Sequence, residues 1–515
     1  MIDELTGSAD NSPQDELERS IAEIWSQLLG EAPGNHDGFF DSGGDSLLAI
    51  RLLSRVEART GRAVELPEFL RRPTVSGLAA ALRAAANTDV PAIEARGLAS
   101  ARVSFGQYRL WFMQQLEPDS TTYNVLWAAR IIGALDLPRL QAALDIVVSR
   151  HEALRTCFVD RAGVPEQIAT ADCRVRIEVD DVAPEDISEH IDRFAAQQFD
   201  LTRAPLLRLA IARLAATHHL LVVNMHHAVT DGRSMEIFAR ELSLCYNAFA
   251  VGSTPNLPDL PVRYGDYAEW QRDQMAAGRW NDHIAFWRTE LADWPLVLDL
   301  PADRPHPEIR RSHGATMPFV IPNAAGIRAT ARRLGGTAHM ILMTAFQAAL
   351  ARISGRERFV VGTAVAGRPV VAVENVIGFF VNTIPVKADC SGTPSLPELF
   401  DRVRHQLLRA YEHQDLPLDQ IVDAVRPPRD PARTPLFQTV LTYVPDAIAH
   451  LRLGSAEATT HVVLPRVSRV DLLIEVIDTT GTFDAVLEYN TDLFDRSTVE
   501  KYLATFLEEL DAWTR

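Results

Sequence analysis

At 515 residues the chain is too long for one ordinary core and predicts roughly three to four units, or two where one is large. Its hydrophobic (47%) and charged (23%) fractions are those of an ordinary globular protein. A formal net charge of −17 argues against nucleic acid and anionic membranes as main partners, because phosphate binding needs a basic surface. No apolar run approaches the roughly 18 residues that span a membrane, and "MIDELTGSADNSPQDE" is too polar for a signal peptide. Cys157, Cys173, Cys245 and Cys390 make neither a CxxC pair nor a disulfide framework, and they read as packed thiols in a reducing cytosol. The expectation is a cytoplasmic protein. Only two lysines occur, Lys387 and Lys501, so there is no Gly-Lys-Ser/Thr phosphate loop; GxGxxG and GxSxG are missing too. An ordinary nucleotide-binding enzyme and a serine hydrolase are thereby set aside.

In chain order, residues 12–86 predict a small all-α unit. "SPQDELERSIAEIWSQLLG" has Pro13 near a helix start, a Leu17, Ile21, Ile24, Trp25, Leu28 stripe, and Gly30 as a stop. A Gly/Asn/Asp loop leads to "SLLAIRLLSRVEART", with Leu48, Leu52 and Val56 on one face before Gly61, and "VSGLAAALRAAA" closes the unit. Residues 87–101 are short, polar and proline-containing, as a linker should be. From about 102 to 515, strand candidates ("VRIEV", "LLVVNMHHAV", "TMPFVI", "RFVVGTAVA", "AVLEYN") mix with helix candidates. The latter are "PRLQAALDIVVSRHEALR", "SMEIFARELSLCYNAFA", "AHMILMTAFQAALARIS" and "SLPELFDRVRHQLLRAYEHQ". Such a mixture exceeds one core and predicts two α/β lobes, about 102–275 and 276–515.

Within the small unit, "FFDSGGDSLLAI" sets Ser46 where a glycine loop meets a helix N-terminus, a position that favours negative charge but also suits a plain N-cap. The whole string resembles the peptidyl carrier proteins of nonribosomal peptide synthetases. That resemblance implies a four-helix unit whose Ser46 carries 4′-phosphopantetheine, added from coenzyme A by a separate phosphopantetheinyl transferase. It also leaves Leu47 and Ile50, off the packed stripe, to dock partner enzymes.

"NMHHAVTDG" (224–232) admits a metal site, part of a hydrolytic triad, or a single working histidine. If it continues a strand, His227 shares a face with Val223 and Met225, and His226 takes the other, so the two cannot ligate one metal. His219 lies roughly 26 Å back along an extended strand, and no other cluster has metal spacing, so no metal is expected. Asp-Gly makes a tight turn, and Ser234 is expected to cap a helix whose Phe238, Leu242, Cys245 and Phe249 form a buried stripe. On residue types alone, each histidine could equally be a satisfied core residue, and Asp231 a turn residue or salt-bridge partner.

The string resembles the HHxxxDG motif of nonribosomal peptide synthetase condensation domains, relatives of chloramphenicol acetyltransferase. "SFGQYRLWFMQQLEP", "RHEALRTCF", "YGDYAEWQ", "IGFFVNT", "HQDLPL" and "RDPARTPLFQ" resemble further family signatures in the family's order. Gly106 stands where alanine is usual, and Val229-Thr230 where Ile-Ser is frequent. The resemblance implies two chloramphenicol acetyltransferase-like lobes forming a V with a tunnel, and attack by one carrier-bound amine on the thioester of another. It makes His227 the working residue, with His226 packing structurally. Asp231 would hold the loop through Arg368 or, second, Arg155; Gly232 would leave room for the thioester, and Asn382 would donate in the cleft or stabilise a turn.

The carrier precedes the condensation unit, so Ser46 is expected to hold the donor, with the acceptor on a downstream carrier and an adenylation domain upstream. The short linker leaves no room for an epimerisation domain, which implies an LCL-type enzyme taking an L-configured or glycyl donor. An epimerisation didomain is the nearest rival, but its EGHGRE-like string is missing; a carrier-docking module without catalysis is the rival of a different class. The end at "LATFLEELDAWTR" fits a monomeric piece of a longer synthetase making a secondary metabolite such as an antibiotic or siderophore.

Overall fold

The computed structural model describes residues 11–44, 46–85, 91–446, 451–461, 463, 465–479 and 481–513. In the small unit, α1 (Glu16–Leu29) starts at Asp15, which accepts the Glu18 N–H at 2.9 Å, and stops at Gly30 with φ +82°. α2 (Ser46–Thr60) buries Ala49, Leu52 and Val56 against Ile21, Ile24 and Trp25 of the first helix. α3 (Leu66–Arg71) and α4 (Val75–Ala84), the latter capped by Thr74, complete it. Phe39 lies edge-on to Trp25 at 4.8 Å and to Phe69 at 5.5 Å. The six-residue α3 is the fourth helix that periodicity misses, being too short to show an amphipathic stripe.

The large unit begins with β1 (Ser100–Arg102), α5 (Phe105–Leu116), β2 (Asn124–Ile132), α6 (Leu137–Arg150), β3 (Thr156–Arg161), β4 (Val164–Ala169) and β5 (Ile177–Asp181). Then come α7 (Ile187–Ala195), β6 (Leu207–Ala215), β7 (His218–His226), α8 (Gly232–Ala250), α9 (Tyr264–Ala276) and α10 (Asn281–Glu290). One face of β7 (Leu221, Val223, Met225) packs on α6 and α8, and the other (Leu220, Val222) on Ile191 and Phe194 of α7. That two-sided cover is why "LLVV" is a continuous apolar run rather than an alternating one.

The second half contains β8 (Gly314–Ile321), α11 (Ala324–Arg333), α12 (Ala338–Ser354), β9 (Arg358–Val365), β10 (Asn382–Asp389), α13 (Leu396–Glu412), α14 (Leu418–Val425) and β11 (Thr439–Pro445). It ends with β12 (Glu457–His461), β13 (Leu472–Asp478), β14 (Phe483–Asn490) and α15 (Arg496–Asp511). Six strands form one sheet in the order β10-β9-β11-β13-β14-β8. The first half's main sheet runs β12-β2-β7-β6-β5, so β12 crosses over and pairs with β2 from Glu457↔Ile132 to His461↔Ala128. A small third sheet, β1-β4-β3, flanks it. The two lobes are therefore stitched by backbone hydrogen bonds as well as by side chains. No single described helix is long and apolar enough to cross a membrane.

Candidate active site

β7 ends at His226, and His227 opens a short turn in which its N–H donates to Tyr123 O at 2.7 Å. The strand parity expected to reach His227 therefore stops one residue early; the two rings are separated by the turn. His226 is 2% exposed, with Nδ1 accepting the Ala228 N–H at 3.1 Å and the ring lying edge-on to Tyr123 and Phe199. His227 keeps part of its surface open. Its Nδ1 sits 2.7 Å from Thr230 O. A carbonyl only accepts, so Nδ1 carries the proton and Nε2 the lone pair. Phe379 lies edge-on to the ring at 4.8 Å. Burial pushes His226 down to about 3 and His227 down to about 4; at His227 the Thr230 carbonyl opposes the shift and Arg469 adds to it.

Asp231, 1% exposed, caps α8 by accepting the Ser234 N–H at 2.7 Å. The expected cap, Ser234, instead lies inside the helix. Arg368 Nη2 donates to Asp231 Oδ1 at 3.1 Å and to Ser234 Oγ at 3.0 Å, and the Phe380 N–H donates to Asp231 Oδ2 at 2.9 Å. Ser234 Oγ also donates to Gly378 O at 2.8 Å. Arg368 Nη1 reaches Val373 O and Val376 O, both at 2.7 Å. The segment 367–380 is thus fastened behind His227 at both ends. Arg155 takes no part in this: its Nη1 donates to Thr170 O at 3.2 Å. Asn382 donates to Gln414 O and Leu416 O and accepts from the Leu418 N–H, which pins the loop before α14 and leaves its amide committed to the turn. A Cβ on Gly232 would meet only Val444, at 4.0 Å, so the glycine borders open space.

The small unit rests on this same segment. Arg51 and Arg55, one and two turns into α2, both bind Glu374, with Nη2 of each 2.7 Å from Oε1. The Glu374 side chain is 10% exposed; although burial opposes it, the two guanidinium groups hold its carboxyl down at about 2. Arg240 of α8 donates to the adjacent Asn375 at 3.0 Å. Asp45 lies outside the described residues, as do the side chains of Ser46 and Leu47; the backbone of Ser46 opens α2.

A family model described as "Condensation domain" matches residues 99–515, and one described as "Phosphopantetheine attachment site" matches residues 19–82. The chain belongs to the condensation-domain family. A phosphopantetheine-bearing carrier precedes the condensation domain, and the large unit has the chloramphenicol acetyltransferase-like α/β fold. Condensation domains are the peptide-bond-forming enzymes of nonribosomal peptide synthetases, and this chain is one of them. It is 35% identical over 528 residues to a linear gramicidin synthase protein of Brevibacillus parabrevis, a match covering 98% of this chain but 7% of that protein. Among solved structures, the X-domain from teicoplanin biosynthesis superposes with a TM-score of 0.73 at 26% identity, over 82% of this chain and 97% of that one. The condensation domain from monacolin K polyketide synthase gives 0.71 at 24%, over 81% and 98%, a likeness of fold alone.

The chemistry around Ser46 fits the cofactor. The first turn of α2 holds no acidic residue, and a helix N-terminus favours a phosphodiester there, with Asp45 the acidic residue that the sequence places immediately before it. Two residues of the site have roles that a sequence reading misses: Ser234, expected only as a helix cap, whose hydroxyl bridges Arg368 and Gly378, and Tyr264, whose OH donates to Phe379 O at 2.6 Å. Tyr264 lies inside "YGDYAEWQ", so the motif pointed to it without giving the bond. Glu374 and Arg469 lie outside the family signatures, and nothing local to either singles it out.

Proposed function

We propose that this condensation domain joins a donor acyl chain held on its own carrier at Ser46 to an aminoacyl acceptor on a downstream carrier, as an LCL-type enzyme. The observation that carries the donor assignment is the double ion pair of Arg51 and Arg55 with Glu374. It draws the helix opening at Ser46 onto the segment fastened behind His227, which supports delivery by the attached carrier rather than by a distant one. When bound, 4′-phosphopantetheine supplies a flexible thiol on which the acyl chain travels.

His227 is the catalytic residue of this reading. With Nδ1–H anchored on Thr230 O, Nε2 can accept a hydrogen bond from the acceptor amine and orient its lone pair toward the donor carbonyl. Its depressed basicity favours positioning over full proton abstraction. Holding both reactants in register supplies on the order of 7–11 kcal/mol by itself. His226, Asp231, Gly232 and Arg368 support the site; Asn382 and Arg155 stand behind it. The thioester held at Ser46 would supply the electrophilic carbonyl; forming the amide C–N bond would break its C–S bond, the amine proton would pass to the released donor thiolate, and the lengthened chain would stay on the downstream carrier. The LCL assignment rests on the short linker, 87–101, which leaves no room for an epimerisation domain.

The partners in this reading are the downstream acceptor carrier, an upstream adenylation domain and a phosphopantetheinyl transferase with coenzyme A. This chain spans 7% of its linear gramicidin synthase relative, so the product and neighbouring modules belong to the proposal. The X-domain likeness, with a relative also solved as a complex with OxyB, supplies the second reading, a docking module. A paired-carrier assay read by intact-protein mass spectrometry separates them. Ser46→Ala should block donor loading, and His227→Ala should load normally and condense poorly. Binding of both loaded carriers with no dipeptide would favour the docking module; efficient use of a D-configured donor alone would refute the LCL type.

A further inference from the structure

The sheet of the second lobe turns one face toward His227. Val440, Thr442 and Val444 of β11 pair in register with Leu473, Glu475 and Ile477 of β13, whose antiparallel partners on β14 include Glu488 and Val486. In-register partners project to one side of a sheet, so these residues share a face. Val444 on that face lies 4.0 Å from where a Cβ on Gly232 would sit. Arg469, held by Glu488 through Nη2 at 2.9 Å and Nε at 3.1 Å, is an electrostatic neighbour of His227.

Glu475 stands out on this face. Among the described residues its side chain makes no hydrogen bond and no ion pair, while part of its surface stays open. Arg469 acts on it through space, but both Nε and Nη2 of that guanidinium are already taken by Glu488. Two carboxylates therefore share one guanidinium, and burial pushes the Glu475 carboxyl above the usual carboxylate range. Beside it, Thr442 is 8% exposed and its Oγ1 has no hydrogen-bond partner. The half-open carboxylate has no donor within hydrogen-bond distance and the buried Thr442 hydroxyl beside it has no partner, so a cation bearing N–H donors would supply what both lack.

We infer that Glu475 and Thr442 form a subsite for a basic side chain, an ammonium or guanidinium, on one of the two aminoacyl groups being joined. The carboxylate would take the charge and the hydroxyl would accept a second N–H. This rests on the condensation reading and adds a substrate class to it. The test uses the full chain in its phosphopantetheinylated form with a loaded acceptor carrier. Lysine and its uncharged near-isostere norleucine are compared at the donor position and, separately, at the acceptor position. The lysyl substrate should be favoured over norleucyl by at least about ten-fold at one of the two positions. Glu475→Gln should abolish that preference, and Thr442→Val should narrow it, while norleucyl turnover stays unchanged in both. Norleucyl turnover with no lysyl preference at either position, or a preference that survives Glu475→Gln, overturns the subsite and leaves condensation standing. Failure to join any pair overturns the condensation reading and the subsite with it.

Discussion

Asp231 and Arg368, 137 positions apart, form an ion pair whose side chains are 2% and 6% exposed, and the same carboxylate receives the Phe380 N–H. Burial this deep makes the pair costly to break, because removing one partner strands the other charge. Asp231→Ala should destabilise the condensation domain by about 3–5 kcal/mol in urea unfolding and lower condensation as well. Arg368→Ala should cost a similar amount, and the double variant clearly less than the sum. Strict additivity would show that the two side chains do not act as a unit.

The carrier contact makes a second prediction. Glu374 anchors two arginines of α2 while 10% exposed, so truncating it leaves both guanidinium groups poorly compensated. Glu374→Gln should lower condensation of the donor tethered at Ser46 by at least about ten-fold. Turnover of a soluble acyl-thioester donor, which needs no docking, should stay near wild type. Equal losses with both donors would mean that Glu374 supports the site itself rather than the carrier.

How far the sequence could be read depends on whether a feature is local. "AHMILMTAFQAALARIS" coincides with α12, because a long apolar helix with Thr337 before it and Gly355 after it carries its own boundaries. β12 could not be read, since "EATTH" is polar and owes its place to the partner strand β2. The motif flagged His227, but strand parity overran the turn: the Thr230 carbonyl and Tyr123 draw the chain out of β7 one residue early. Arg368 is one of two arginines expected to pair with Asp231, and the structure selects it over Arg155, whereas Glu374, Arg469 and Glu475 owe their places to distant segments that no spacing encodes.

Gly378 tests how tightly the segment behind His227 is packed. A Cβ there would fall 1.9 Å from Tyr264 Cδ2, and the Tyr264 hydroxyl is fixed by bonds to Phe379 O and Ser104. The ring cannot swing aside without losing both. Gly378→Ala should cost roughly 1–3 kcal/mol by overpacking and lower kcat through Phe379, which packs on His227. Adding Tyr264→Leu should recover part of the stability but none of the lost hydrogen bonds, an outcome readable by thermal unfolding alongside the condensation assay.

The last prediction concerns pH. Burial sets His226 at about 3, His227 at about 4 and His339 at about 4, all below the ordinary imidazole value near 6.5. Between those values and 6.5 the unfolded chain binds more protons than the folded one, so stability rises with pH through that window. It should be fully present above about pH 6.5 and decline as pH falls toward 4. Glu374 behaves differently: its carboxyl is held at about 2, so the carrier contact persists below pH 4.5 and fails only as pH approaches 2. For catalysis, His227 is already neutral at pH 5, and the amine of the acceptor, with an ordinary value of about 7.7–8.0, is the group left to titrate. The kcat/KM profile from pH 5 to 9 should therefore rise with the amine and show no separate acid limb near 6.5. An acid limb there that disappears in His227→Gln would mean that His227 titrates as an ordinary, solvated imidazole, and that its burial does not set the chemistry.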